Sequence, residues 1–355
     1  MKAYVRHSIG VVGWMEKPDP VCGPDDAICR PLVLCPCSSD VHTAWEMDAP
    51  HLKDITLGHE VLGVILEVGE NVKDFKPGDK VIVPCTTPTW KHPDCQDGDP
   101  WDAGGLFAGI NFSNYEDGVM AEKFKVRSAD LNLCHLPEGL DYKKAIMVVD
   151  MMTTGFHGSE LAEVKFGDSV VVFGIGPVGL MAVAGSKLMG AGQIIAVGTR
   201  PNCVEIAKKY GATNIVSYKE GDLVEQIMTL TNGRGVDAAI VAGGDAKTLA
   251  QAMAVTRCGG SMVNLNVITG TNEFVFDYMS CSGGFMGHKT IRGGLCPGGR
   301  RRAERLTNML LADRVDPSLM VTHEFYGLDK IGEALQLMKD KPKDLIKPIV
   351  YVDVE

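Results

Sequence analysis

Residues 58–81 read GHEVLGVILEVGENVKDFKPGDKV. As a pattern the run is G-H-E-x2-G-x5-G-x2-V-x5-G-D-x-V, with a histidine beside a glutamate and glycines at set intervals. The β-branched stretches Val61–Val68 and Lys80–Val83 flank Pro77-Gly78-Asp79, which is turn chemistry between two strands. The same alternation of short β-branched runs with Gly, Pro and Asp extends over residues 1–150. Ala27–Leu34 is a further example, and the whole stretch argues for an all-β unit.

The character of the chain changes after Asp150. Met151–Leu161 reads as a helix, and Ser169–Phe173 as an apolar strand running into glycines and an apolar helix over 178–189. Strands over 194–197, Asn214–Val216 and 238–242 then alternate with helices over 202–210 and 222–231. Strands separated by helices of that length build a parallel sheet covered on both faces. From Pro297 onward the pattern predicts helices over Arg300–Leu311 and 330–338 and a last strand over 348–352, where the chain returns to its first domain. The expected class is α/β: a β-rich domain over 1–150, a doubly wound domain over 151–296 and a C-terminal return over 297–355.

A length of 355 residues suits two domains. Hydrophobic residues make up 45% and charged residues 23%, the balance of a globular chain in water. The net charge of −10 does not attract nucleic acid or an anionic membrane. No apolar run reaches the ~18 residues that suggest a membrane span. The N-terminal MKAYV enters a strand pattern without the regions of a signal peptide, so a cytoplasmic location is the default. The eleven cysteines are odd in number and show neither framework spacing nor a C-x2-C pair. That argues for reduced thiols, most of them small buried hydrophobes, and against a zinc ribbon or redox dithiol.

Gly174-Ile175-Gly176-Pro177-Val178-Gly179 fits G-x-G-x-x-G and stands where that motif carries meaning, after a strand and at the start of a helix. The first glycine permits the tight turn, the second lets backbone approach a pyrophosphate, and the third lets the helix pack close to the sheet. The helix N-terminus then offers free N–H groups to the negative charge. At the end of the next strand an NAD enzyme tends to carry Asp or Glu for the ribose 2′-hydroxyl. Here the sequence is Gly198-Thr199-Arg200, with no carboxylate to repel a 2′-phosphate and a guanidinium fork suited to bind one. The expected cofactor is NADP(H). Tyr218, just after the following strand, could pack near the adenine and direct its hydroxyl at the phosphate; the residues alone leave that open.

Zinc takes N, S and O donors, and a catalytic site usually keeps three protein ligands and one open place. Cys37, in Cys37-Ser38-Ser39-Asp40-Val41-His42, and His59 are separated by a stretch that a β-domain can fold back on itself. A third donor must come from elsewhere. Asp150 sits at the expected domain junction, although the generic reading of an Asp before a helix is an N-cap. Glu60 could approach the metal or orient a ligand of it.

The pattern over 58–81 resembles the signature of zinc-dependent medium-chain alcohol dehydrogenases. Segments 54–60, 149–158, 174–181, 293–300 and 338–348, which span nearly the full length, resemble the NADP-dependent secondary alcohol dehydrogenases of anaerobic bacteria and protists. The resemblance implies a GroES-like catalytic domain and a Rossmann-type cofactor domain. It implies one catalytic zinc on Cys37, His59 and Asp150, with Glu60 as an exchangeable further ligand. It also implies a homotetramer and no structural zinc; residues 85–114 hold only Cys85 and Cys95, too few for a four-cysteine lobe. Phosphate contacts are implied for Gly198, Thr199, Arg200 and Tyr218. Contacts nearer the nicotinamide are implied for Leu265-Asn266-Val267 and, after a one-residue insertion, Lys341. Two positions depart from the family: Cys85 stands where it typically has alanine, and Ile110 where it has tryptophan. Both line the substrate pocket in relatives, so a pocket open to bulkier ketones is expected. Residues 269–284 diverge as well.

The reaction so implied is the reversible oxidation of a secondary alcohol to a ketone with hydride transfer to NADP, zinc polarising the substrate oxygen. Ser39 would accept the proton and His42 would carry it toward solvent. Two readings compete. A polyol or aldehyde dehydrogenase of the same fold would more often prefer NAD, which Thr199-Arg200 opposes. A catalytically silent NADP-binding protein is opposed by the intact set Cys37, His59, Asp150 and Ser39.

Overall fold

The computed structural model describes residues 1–100, 109–268, 273–282, 284–294 and 296–352. Parts of the stretches 85–114, 269–284 and 293–300 singled out above therefore lie outside the described residues. The chain divides into two compact units, Met1–Thr153 with Cys296–Glu355, and Thr154–Leu295. The first border falls after Thr153 rather than Asp150, inside the helix Met151–Leu161.

Among the described residues, the main sheet of the first unit has seven strands. Six follow the order Val321–Tyr326, Lys347–Tyr351, Ala27–Leu34, Val61–Val68, Lys80–Val83, Cys134–His135, and Phe124–Val126 also pairs with Ala27–Leu34. Lys347–Tyr351 runs antiparallel to Ala27–Leu34, with Val350 opposite Leu34, and so stitches the C-terminal segment into the sheet. Val61 lies opposite Val83 in the hairpin built around Pro77-Gly78-Asp79. Leu34, Val61, Val83 and Val350 share one core with Leu335 and Met338 of the helix Ile331–Asp340. Burying each such side chain contributes roughly 1.5–3 kcal/mol. These contacts hold the strand ends that carry residues 35–37, 59–60 and 347.

The all-β expectation for residues 1–150 needs a correction. An eight-residue helix, Ser38–Trp45, follows directly on Ala27–Leu34. Asp40, Val41 and Ala44 are its buried residues, and the Asp40 carboxylate accepts the Cys37 N–H at 2.8 Å. That hydrogen bond satisfies one donor at the helix start. A reading built on β-branched runs passes over so short a helix.

Among the described residues, the second unit has a six-stranded parallel sheet in the order Asn214–Val216, Gln193–Val197, Ser169–Phe173, Val236–Val241, Thr256–Asn264, Thr290–Gly293. Numbered along the unit, this is the 3-2-1-4-5-6 arrangement of doubly wound dinucleotide folds. Val170 through Phe173 are all buried, as the continuous apolar run of a strand covered on both faces requires. The helix Ala246–Val255 and the last two strands go beyond the sequence pattern, and Gly259-Gly260 explain why: they interrupt the β-branched character of Thr256–Asn264. No helix among the described residues is long and apolar enough to cross a membrane.

Candidate metal centre and nucleotide site

Four side chains of the first unit converge. Cys37 is the N-cap of the helix Ser38–Trp45, His59 and Glu60 lead into the strand Val61–Val68, and Asp150 precedes the helix Met151–Leu161. Their donor atoms all lie within 4.8 Å of one another. Cys37 Sγ is 3.8 Å from Asp150 Oδ2, and His59 Nε2 is 3.7 Å from the same oxygen and 3.9 Å from Glu60 Oε1. Asp40 ties two of these residues together: Oδ2 accepts the Cys37 N–H, and Oδ1 lies 3.0 Å from His59 Nδ1. With Nδ1 donating to Asp40, Nε2 faces the cluster, where loss of its proton would free a lone pair for a metal, the usual orientation of metal-binding histidines.

The charges do not balance by themselves. Lys347 Nζ donates to Glu60 Oε1 at 2.7 Å, and this pair is 1% and 0% exposed in its side chains. Glu60 Oε2 is buried without a hydrogen-bond partner among the described residues. Burial pushes the Cys37 thiol and the Glu60 carboxyl above their ordinary ranges. Burial alone would depress His59, but Asp40 and Asp150 outweigh it and hold the imidazolium well above its usual range. Each group thus clings to a proton, as expected where negative charge exceeds positive in a dry pocket. A divalent cation would take the place of those protons. One thiolate, one imidazole and carboxylate oxygens form a donor set that suits zinc, so the residues fit that ion.

The second unit presents its glycine turn at the C-terminal end of the central strand Ser169–Phe173, where doubly wound folds bind their ligands. A Cβ on Gly179 would stand 1.8 Å from the Gly174 carbonyl oxygen, so only glycine allows the helix Pro177–Leu188 to lie so close. Over Gly176 the space is open; a Cβ there would meet only Arg200 Nη2, at 3.9 Å. That cradle, with a guanidinium at its side and a helix N-terminus at its base, fits a dinucleotide phosphate. Thr199 Oγ1 donates to the Tyr218 hydroxyl at 2.8 Å, which ties Tyr218 to the residue that precedes Arg200 in sequence. A cavity of ≈ 510 Å³ lined by Gly174, Val197, Tyr218, Gly243 and Asp245 adjoins this turn.

An alcohol dehydrogenase GroES-like domain model matches residues 23–138, and a zinc-binding dehydrogenase model matches residues 177–311. The chain is 55% identical over 352 residues to the NADP-dependent isopropanol dehydrogenase of Thermoanaerobacter brockii, covering 99% of this chain and 100% of the relative. It is 53% identical over 352 residues to the enzyme of that name from Clostridium beijerinckii, again over 99% and 100%. The chain belongs to the zinc-containing medium-chain dehydrogenase family. Among solved structures, an alcohol dehydrogenase from Thermus sp. ATN1 superposes on it with a TM-score of 0.86 at 29% identity, over 99% of this chain and 100% of that one.

The remaining expected residues of the dehydrogenase fall as follows. Ser39 Oγ lies 3.2 Å from His59 Nε2, beside the cluster. His42 is one turn further along the same helix, its Nδ1 2.5 Å from Glu46 Oε2. No hydrogen bond joins Ser39 to His42 among the described residues. Leu265, Asn266 and Val267 follow the strand Thr256–Asn264; Asn266 Nδ2 donates to the Gly244 carbonyl at 2.9 Å and Val267 is exposed. Lys341 ends the helix Ile331–Asp340 in a left-handed conformation, exposed on the surface of the first unit. Ile110 is half-buried, and Cys85 is buried against Cys296. Sequence reasoning missed Asp40 and Lys347. Asp40 carried a weak signal, an acid within the stretch after Cys37; Lys347 carried none, since a lysine beginning a strand reads as solvent-facing.

Proposed function

We propose that this dehydrogenase catalyses the reversible NADP-dependent oxidation of secondary alcohols such as isopropanol to ketones, in the cytoplasm, as a homotetramer with one catalytic zinc per chain and no structural zinc. The observation that carries the reading is the convergence of donor atoms of Cys37, His59, Glu60 and Asp150 within 4.8 Å of one another, with Glu60 Oε2 buried and without a hydrogen-bond partner among the described residues. The names of the T. brockii and C. beijerinckii relatives support the substrate class and the cofactor.

Bound zinc would supply a Lewis acid to the alcohol oxygen, and NADP would supply the hydride acceptor. The chain's own residues do the rest. Cys37, His59 and Asp150 hold the ion, and Asp40 fixes the tautomer of His59. Glu60 offers a further oxygen, restrained by its pairing with Lys347. Ser39 accepts the alcohol proton and His42 delivers it to solvent; with no direct bond between them, a bridging water completes the path. Arg200, Thr199 and Tyr218 bind the 2′-phosphate, with Gly198 giving backbone access. The glycine turn from Gly174 to Gly179, including Ile175, Pro177 and Val178, binds the pyrophosphate. Leu265, Asn266, Val267 and Lys341 complete the cofactor contacts. Cys85 and Ile110 shape the substrate pocket.

The decisive test is steady-state reduction of a graded ketone series with NADPH and NADH in parallel, before and after chelation. NADPH-dependent rates that vanish with the zinc are expected; equal rates in chelated and untreated protein refute the proposal. Ser39→Ala should lower turnover at unchanged zinc content, and normal turnover removes the relay. Ile110→Trp should narrow the ketone range, and matching chain-length profiles for the two proteins remove the idea of an enlarged pocket.

A further inference from the structure

Cys85 and Cys296 are 211 positions apart, yet their buried Sγ atoms lie 2.8 Å from each other. That is within about 1 Å of the ~2.05 Å of a disulfide bond. Their surroundings keep them there. Thr86 Oγ1 donates to the Cys296 carbonyl at 2.7 Å, and the Cys85 N–H donates to the Val149 carbonyl at 3.1 Å. A Cβ on Gly298 would stand 1.9 Å from the Thr86 carbonyl oxygen, so the two segments run backbone against backbone. The two sulfurs and a carboxylate oxygen of Asp150 fall within 4.8 Å of one another. No residue of the proposed metal set needs either thiol.

We propose that Cys85 and Cys296 are a thiol-oxidation site, which closes reversibly to an intrachain disulfide when a small peroxide reaches it. Hydrogen peroxide takes two electrons from one thiol and leaves a sulfenic acid and water. The second sulfur attacks the first, the S–S bond forms, the S–O bond breaks, and a second water departs with the remaining proton. A thiol reductant returns both sulfurs to thiols. Closure removes two S–H groups within 4.8 Å of the Asp150 oxygen and draws on the segment that ends at Val149. Oxidised protein therefore turns over alcohol slowly. That last consequence rests on the catalytic reading above; the disulfide itself does not.

The experiment treats full-length zinc-loaded protein with hydrogen peroxide, alkylates the remaining thiols, and maps peptides by mass. A loss of about 2 Da for the two hydrogens is expected, together with a peptide pair joined through 85 and 296 and full reversal by dithiothreitol. Turnover should fall and recover in parallel while zinc content stays constant. In Cys85→Ala and in Cys296→Ala, each compared with its own untreated sample, peroxide should leave turnover unchanged and the other cysteine unjoined. Alkylation of both thiols after treatment overturns the site, as does a bridge between other cysteines. A joined peptide with full turnover overturns its effect on catalysis, and zinc release assigns the effect to Cys37 instead. Should the protein oxidise no alcohol at all, the peptide map alone still decides whether the disulfide forms.

Discussion

Glu60 and Asp237 are both carboxylates withdrawn from water, and the protein treats them in opposite ways. In the second unit, Asp237 Oδ2 accepts from the Ser169 N–H and hydroxyl at 2.8 Å each, and Oδ1 accepts from Arg257 Nε at 2.6 Å and Arg234 Nη2 at 3.2 Å. Burial would raise its pKa, but the bonds from Ser169 and Arg257 hold it down at about 2. In the first unit, Glu60 has one oxygen on Lys347 and the other without a hydrogen-bond partner among the described residues, and burial pushes its carboxyl up. A carboxylate answered on every side by its own chain is a staple between strands. One left half-answered is a group that a ligand would complete, because a buried polar atom without a partner is destabilising.

That contrast can be broken most sharply at the half-answered site. Cys37→Ser should lose zinc and cut alcohol oxidation by more than the roughly 10–100-fold that outer partners of a metal ligand are worth. Retained zinc and retained rate, measured together, would mean the cluster is structural. Asp40→Asn probes the supporting layer and should fall within that roughly 10–100-fold range, with weakened zinc affinity in a chelator competition. An unaltered affinity would show that His59 needs no help from Asp40. Arg200→Ala should lower kcat/KM for NADPH by about tenfold, the loss of one charge-assisted bond, and leave the NADH value nearly unchanged. A parallel drop with both cofactors would count against a 2′-phosphate contact.

The smallest effect belongs to the staple. Asp237→Asn should leave zinc content and turnover alone and destabilise the second unit by about 1–3 kcal/mol, seen as a melting point lower by a few degrees. In the wild-type protein the folded pKa is depressed. The stabilisation from Asp237 is therefore present above the unfolded value of ~3.9 and is lost as pH falls through it toward about 2. A melting point that falls by the same amount in variant and wild type across that window would show that Asp237 contributes nothing.

How much could be read from the sequence follows the same division. Elements with one strong local signal were legible: the apolar run of Ser169–Phe173 into its glycines, and Val61–Val68 beside its turn. Cys37 and His59 stood out because thiol and imidazole are scarce and chemically marked. Asp150 did not, since an acid before a helix reads equally well as a cap, and only the family resemblance moved it to the metal. Lys347, Asp40 and the Cys85–Cys296 contact depend on long-range folding that no local pattern encodes. The bond from Lys347 to Glu60 joins residues 287 positions apart.

That span has a bearing on how the protein comes into being. A fragment holding only residues 1–153 would possess every proposed donor to the ion and still lack the ammonium opposite Glu60. Contacts of such sequence separation are slow to form. The charge opposite Glu60 is thus supplied only once the strand Lys347–Tyr351 has docked, so the electrostatic balance of the cluster depends on the C-terminal return rather than on the segment that carries the cluster itself.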